Sequence, residues 1–265
     1  MNIDKLFEKF WNDYIEITPI AKVVHTLLQD RGENIINDHI AFRTFKSKGI
    51  GILDFATFFK NYGYSIKGEY NFELKKLNAI HLENEKNSKL PKIFISELRY
   101  EELDEKSTSL IERELSSIAN TPLENLLLDN QAFNISTDEY QHLQGQSEYA
   151  AWLCAHGFRA NHFTVLVNEL KSLSRLEDLN ELLLEKEVSM NVSGGIIKGS
   201  SSVYLEQSST MASQYSIKFT DGELSIPTCY YEFALRYNMP SGELYQGFVT
   251  DSADKIFEST DHELD

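Results

Sequence analysis

The hydrophobic pattern of the first thirty residues has helical spacing. Leu6, Phe7, Phe10, Trp11 and Tyr14 form one stripe, and Ile20, Val23, Val24, Leu27 and Leu28 form a second. Thr18 followed by Pro19 separates them as an N-cap with proline at the first helical position. The period then changes. Residues 38–45 (DHIAFRTF) are short, aromatic and β-branched and read as a strand. Residues 50–64 read as an amphipathic helix carrying Leu53, Phe55, Phe58 and Phe59, with strands expected near 65–69, 79–82 and 92–98. Residues 101–118 are charged and helical, and 119–144 show no dominant period. Residues 147–156 form another helix, ending at Gly157 in a position suited to C′. A strand over 161–168, a helix over 173–187 and strands near 189–198, 202–208, 214–219 and 227–236 complete the reading.

The second half repeats the first. With His39 aligned to His162, the offset is 123 residues; Leu53 and Leu176 each follow their histidine by 14 positions, each is followed by an acid (Asp54, Glu177), and each opens a helical pattern. A strand–helix–several-strands unit thus occurs twice. One open sheet of this size keeps an exposed edge and a half-covered face, and two such sheets side by side close a cup. The expected fold is α+β: a single domain over 1–265, with paired βαβββ units at about 35–100 and 158–240 forming a cup-shaped mixed β-sheet barrel. A helical N-terminus (1–34) and a helical insertion (101–157) are added to it.

Composition narrows the function classes. Twenty-five basic against 41 acidic residues give a formal charge of −16, which disfavours nucleic-acid backbones and anionic membranes. An anionic substrate would need a local cationic group. The longest apolar run, residues 150–155, is far short of the ~20 residues of a membrane helix. Cys154 and Cys229 do not make a disulfide framework, and a cytoplasmic protein with reduced thiols is expected. Phosphate loops of the GxxxxGK[ST] type and GxSxG elbows are absent.

The candidate chemistry lies on the two leading strands. Alternation puts His39, Ala41 and Arg43 on one face of the first strand, with His39 and Arg43 roughly 13 Å apart along the backbone. His162 takes the equivalent place in the second unit, sharing its face with Thr164 and Leu166, so two imidazoles are expected to meet across the cup. Two neutral imidazoles on a divalent cation are commonly joined by a carboxylate. Glu206, Glu223, Glu232 and Glu243 are the candidates. Glu232 is selected because it breaks the pattern of an aromatic strand, beside Tyr230, Tyr231 and Phe233. Two histidines and one carboxylate leave coordination positions open, as in non-haem Fe(II) oxygenases; zinc or another divalent metal is not separated from iron by sequence, and a zinc hydrolase or isomerase is the alternative reading. His25, His142, His156 and His262 read as structural or solvated, His81 as intermediate, and Cys154 as core.

DHIAFRTF, LPKIFISEL, SEYAAWLCAHGFRANHFTV, QSSTMA and CYYEF together resemble the 2-oxoadipate dioxygenase/decarboxylase family, part of the vicinal-oxygen-chelate superfamily, over about residues 20–260. The resemblance implies an Fe(II) centre on His39, His162 and Glu232, with Arg43 binding a substrate carboxylate. It also implies conversion of 2-oxoadipate and O2 to 2-hydroxyglutarate and CO2 in lysine breakdown. Gln207 and Ser208, near a strand end, are further candidate polar contacts for the 2-oxo acid.

Overall fold

The computed structural model describes residues 1–129 and 133–249. Two helices open the chain. In α1 (Ile3–Ile17), Asn2 caps the start by accepting from the Lys5 amide, and Leu6, Phe10 and Tyr14 are buried. Pro19 begins α2 (Pro19–Asp30), but the Thr18 hydroxyl makes no capping bond there; the Thr18 amide bonds back to the Tyr14 carbonyl instead.

The first unit is β1 (Asn37–Phe45), α3 (Ile52–Lys60), β2 (Tyr64–Phe72), β3 (Leu77–Asn84) and β4 (Lys92–Leu98). The second is β5 (Ala160–Leu166), α8 (Leu176–Glu185), β6 (Lys198–Ser200), β7 (Leu205–Ser209) and β10 (Glu232–Arg236), with a separate hairpin of β8 (Gln214–Lys218) and β9 (Glu223–Pro227) inserted before β10. Between the units lie α4 (Glu105–Ile118), α5 (Leu123–Leu128), α6 (Thr137–Gln146) and α7 (Glu148–His156).

The large sheet has the order β2-β3-β4-β1-β5-β10-β7-β6. Each half repeats one pattern: the leading strand lies parallel to the last strand of its unit (β1 to β4, β5 to β10), and the remaining strands add antiparallel outward. β1 and β5 join the halves antiparallel at the centre. This is the paired βαβββ arrangement, curled into a cup. Its outer face carries the apolar side chains that hold the helices: Phe42 meets Phe10, Phe55 and Phe59, while Phe163 meets Trp11 and Tyr14. The inner face of β1 is left to His39, Ala41 and Arg43.

The structure redraws several expected elements. The strand expected at 189–198 is mostly irregular, because Gly194 and Gly195 take φ of 65° and 100°: Met190 makes an isolated bridge to Thr210, and a strand forms only at Lys198–Ser200. The last strand is shorter than 227–236 and starts at Glu232. The stretch without a clear period, 119–144, holds α5 and α6; α6 is fixed by a capping box between Ser136 and Glu139. Gly157, with φ of 71°, ends α7 as its composition suggested. Among the described residues no helix is long and apolar enough to cross a membrane.

His156, at the end of α7, is fully enclosed and its Nε2 lies 3.0 Å from the Pro227 carbonyl. Burial pushes its pKa down to about 3. An unfolded histidine would bind its proton near 6.5, so between these values the unfolded chain binds more protons and stability falls as pH falls. Denaturant titrations from pH 7 to 4 should show this loss, and His156→Gln should flatten it.

Candidate metal centre

At the junction of the halves, Ala41 lies opposite His162 and His39 opposite Thr164. The pairing skips Asp38 on β1 and Asn161 on β5. Each skipped residue is a bulge directly before a histidine, and a bulge re-aims side chains locally. Asp38 Oδ1 accepts from His39 Nδ1 at 2.8 Å, and Asn161 Oδ1 accepts from His162 Nδ1 at 2.9 Å. With Nδ1 donating, the lone pair of each ring sits on Nε2. The two rings stand 5.5 Å apart between centroids, near perpendicular.

Both Nε2 atoms face Glu232, which β10 brings beside Thr164 by parallel pairing with β5. His39 Nε2 is 3.5 Å from Glu232 Oε1, and His162 Nε2 is 3.6 Å from Oε2. One donor atom from each of the three side chains lies within 4.8 Å of the other two. Gln207 donates to Glu232 Oε1 at 2.7 Å, and the Thr164 hydroxyl lies 3.3 Å from that oxygen and 3.1 Å from His39 Nε2. His39, His162 and Glu232 are 2 %, 4 % and 1 % exposed.

The electrostatics fit a cation. Burial, helped by the charges of His39 and Arg43, holds the His162 pKa well below its ordinary value, so the ring is neutral. Burial raises the Glu232 carboxyl, which His39 and the Gln207 bond only partly offset. A buried carboxylate and two imidazoles sharing one point offer a divalent cation the positive-charge site that would make the carboxylate's ionised form favourable. Donors about 2.1 Å from a common ion at right angles stand roughly 3 Å apart, close to the spacings here. The trio could therefore hold one divalent ion on one side, with the remaining positions unfilled by protein.

Arg43 lies two strand steps beyond Ala41 on the same face, 2 % exposed. Its Nη1 donates to Glu148 Oε1 at 3.1 Å, and its guanidinium lies between the rings of Tyr149 and Trp152, at 4.9 and 5.0 Å. All three partners come from α7. Its Nε and Nη2 are buried without a partner. These two N–H groups form the side edge of the guanidinium, the edge that takes a carboxylate bidentately.

Gln207 is on the inner face, as a partner of Glu232. Ser208 is not: strand alternation turns it outward, where its hydroxyl donates to Asn180 of α8 at 2.8 Å. The other carboxylates lie elsewhere. Glu206 accepts from the Tyr237 hydroxyl, Glu223 is exposed at the start of β9, and Glu243 is exposed after β10. His25, His142 and His156 lie outside the trio, and His262 is outside the described residues. His81 is within the cup, bonded to the Tyr70 hydroxyl at 2.7 Å. Cys154 is core, and the Cys229 thiol donates to Asn161.

The sequence reading missed Asp38, Asn161, Tyr230 and Arg236. A signal existed for the first pair, since positions 38 and 161 share the 123-residue offset of the histidines. Tyr230 stacks on His162 with centroids 4.7 Å apart. Arg236 forks onto Asp38 at 2.5 and 2.8 Å.

One divalent ion per chain is the expected stoichiometry by elemental analysis after metal loading. His39→Ala or His162→Ala should abolish it, and Gln207→Leu should weaken it roughly 10-fold, as loss of a supporting hydrogen bond does. Full occupancy in either histidine variant would remove that residue from the ligand set.

Comparison with known proteins agrees with this geometry. The family model for 2-oxoadipate dioxygenase/decarboxylase matches residues 18–132 and again 119–243. An Arabidopsis thaliana protein named chloroplastic 2-oxoadipate dioxygenase/decarboxylase is 36% identical over 93% of this chain and 74% of its own length. The crystal structure of Oryza sativa hydroxyglutarate synthase in complex with 2-oxoadipate superposes with a TM-score of 0.90 at 32% identity, covering 97% of this chain and 91% of that one. A crystal structure from Shewanella frigidimarina, provisionally named a hydrolase, superposes with a TM-score of 0.88 at 43% identity, covering 94% of this chain and 98% of that one. The chain belongs to the 2-oxoadipate dioxygenase/decarboxylase family.

Proposed function

We propose that the chain is an Fe(II)-dependent dioxygenase/decarboxylase that converts 2-oxoadipate, or a closely similar 2-oxo diacid, and O2 to 2-hydroxyglutarate and CO2. Atoms balance: both oxygen atoms of O2 enter the products, and the carbon lost is the carboxyl next to the keto group. The observation that carries the reading is the pairing of two features on one strand face. A buried His39–His162–Glu232 trio with open positions stands at one end, and a buried guanidinium with its side edge unmet stands at the other.

A ferrous ion on the trio would supply the Lewis acid that chelates a 2-oxo acid and the electrons that activate O2. The protein's own groups do the rest. Asp38 and Asn161 hold the two imidazoles in the Nε2-facing tautomer. Gln207 and Thr164 fix the Glu232 carboxylate. The Nε–Nη2 edge of Arg43 takes the far carboxylate of the diacid. Each buried N–H left unmet costs about 1–3 kcal/mol, so a carboxylate placed there is favoured even in a chain of net charge −16. Glu148 occupies Nη1 and leaves that edge turned away from itself. Tyr230 and Phe248 pack on the two imidazoles and Phe94 backs Phe248, an apolar wall that would keep water from the centre. The two free thiols, Cys154 and Cys229, support a reducing, cytoplasmic setting for this chain, whereas the Arabidopsis relative is named chloroplastic.

Anaerobic reconstitution with Fe(II) or Zn(II), followed by oxygen-electrode and product assays on 2-oxoadipate, tests the reaction. Oxygen uptake matched by 2-hydroxyglutarate and CO2 is expected with iron alone. Turnover of 2-oxoadipate by the zinc form without oxygen uptake would replace the oxygenase with a hydrolase or isomerase.

Arg43→Met should raise KM for 2-oxoadipate at least 10-fold while leaving a 2-oxo monoacid nearly unaffected, the loss expected for a charge-assisted pair worth about 1.5–3 kcal/mol. Equal effects on diacid and monoacid would remove Arg43 from substrate binding.

A further inference from the structure

Arg236 joins two parts of the molecule that are otherwise separate. It is the last residue of β10 and only 2 % exposed. Its Nε and Nη2 fork onto Asp38 Oδ2 and Oδ1, and Asp38 Oδ1 in turn accepts from His39 Nδ1. Its Nη1 donates to two main-chain carbonyls further along the chain, Tyr245 at 3.1 Å and Gly247 at 2.8 Å. The next residue, Phe248, has its amide on the Tyr70 hydroxyl at 3.2 Å. Its ring closes over the cup: 4.9 Å from His39, edge-on at 90°, 4.8 Å from Phe94 and 5.4 Å from His81. The guanidinium itself lies 5.2 Å from the Phe248 ring.

Every arm of Arg236 therefore has a use, and the uses are interdependent. If residues 245–248 lift away, Nη1 loses both acceptors. If Asp38 turns, the guanidinium loses its counter-charge and His39 loses the acceptor that orients it. A buried ion pair of this kind is costly to break from either side. Phe248 covers His39, so any movement of residues 245–248 off the cup is felt at His39.

We propose that Arg236 is a positioning residue that couples metal retention at His39 to closure of residues 245–248 over the centre. The inference rests on the trio being a metal site, as argued above. By linkage, whatever factor closure adds to metal affinity, the metal adds to closure. Phe248 is then the part of the closing segment that senses the metal site directly, without being a ligand.

The test uses the whole chain with Mn(II) as the probe ion. Hydrogen exchange of the 244–249 segment is followed by mass spectrometry with and without Mn(II), and Mn(II) affinity is measured by calorimetry. In the native chain Mn(II) should slow exchange of the segment. Phe248→Ala, which leaves every ligand and hydrogen-bonded side chain around the centre in place, should weaken Mn(II) binding about 5-fold or more, the lower end of ordinary coupling. Arg236→Lys keeps the charge but not the fork. It should leave the segment exchanging equally with and without Mn(II) and should weaken the ion roughly 10–100-fold. The double variant Asp38→Asn/Arg236→Met removes both charges together and should lose the coupling without stranding an ion. Unchanged Mn(II) affinity in Phe248→Ala, or segment exchange indifferent to Mn(II) in the native chain, overturns the coupling and leaves the metal site standing. A native chain that binds neither Mn(II) nor Fe(II) overturns the functional reading, and this inference with it.

Discussion

Burying one carboxylate between two imidazoles is the constraint around which this molecule is organised. Glu232 sits in surroundings that favour its neutral form, and His162 in surroundings that forbid its charged one. The neighbouring residues all address that problem. Two bulges supply an acceptor to each ring, Gln207 and Thr164 supply donors to the carboxylate, and aromatic rings seal the rest. A site assembled in this way would be a poor way to stabilise a fold, since an apolar trio would cost less. It makes sense as a site kept for the ion it can hold.

The helical insertion has a definite part in this arrangement. α7 is buried from Tyr149 to His156, unlike a helix added to the outside of a barrel. It supplies Glu148, Tyr149 and Trp152 to Arg43, and it anchors itself through the Tyr149 hydroxyl to Ser96 and the Trp152 indole to the Thr228 carbonyl. The guanidinium is thus gripped from behind by one element while its side edge stays open. That is how an acidic chain can present a single, well-aimed positive group.

Much of this was legible in the order of residues. The alternation in DHIAFRTF put His39 and Arg43 on one face, the repeat at 123 residues paired His39 with His162, and an acid in an aromatic strand singled out Glu232. Each signal is a departure from a periodic background, and such departures survive without a structure. What escaped depends on geometry that has no period. The expected strand at 189–198 failed because paired glycines with positive φ interrupt it, and Ser208 was misplaced because its neighbour, not it, shares the inner face of β7. Arg236 was invisible because its partners, Asp38 and the carbonyls of Tyr245 and Gly247, are distant in sequence or belong to the main chain.

His39 and Arg43 belong to the same uninterrupted stretch of β1, paired without a break to β4. If the trio holds the ion and Arg43 the far carboxylate, as proposed, the interval between them is a ruler graduated in peptide units, held by the β1–β4 hydrogen bonds. Side-chain exchanges around the cup can change how firmly a molecule is gripped, but not the length of this scale. A relative that handles a markedly longer or shorter acid would have to move one of the two marks to another rung, or reach it with a different side chain.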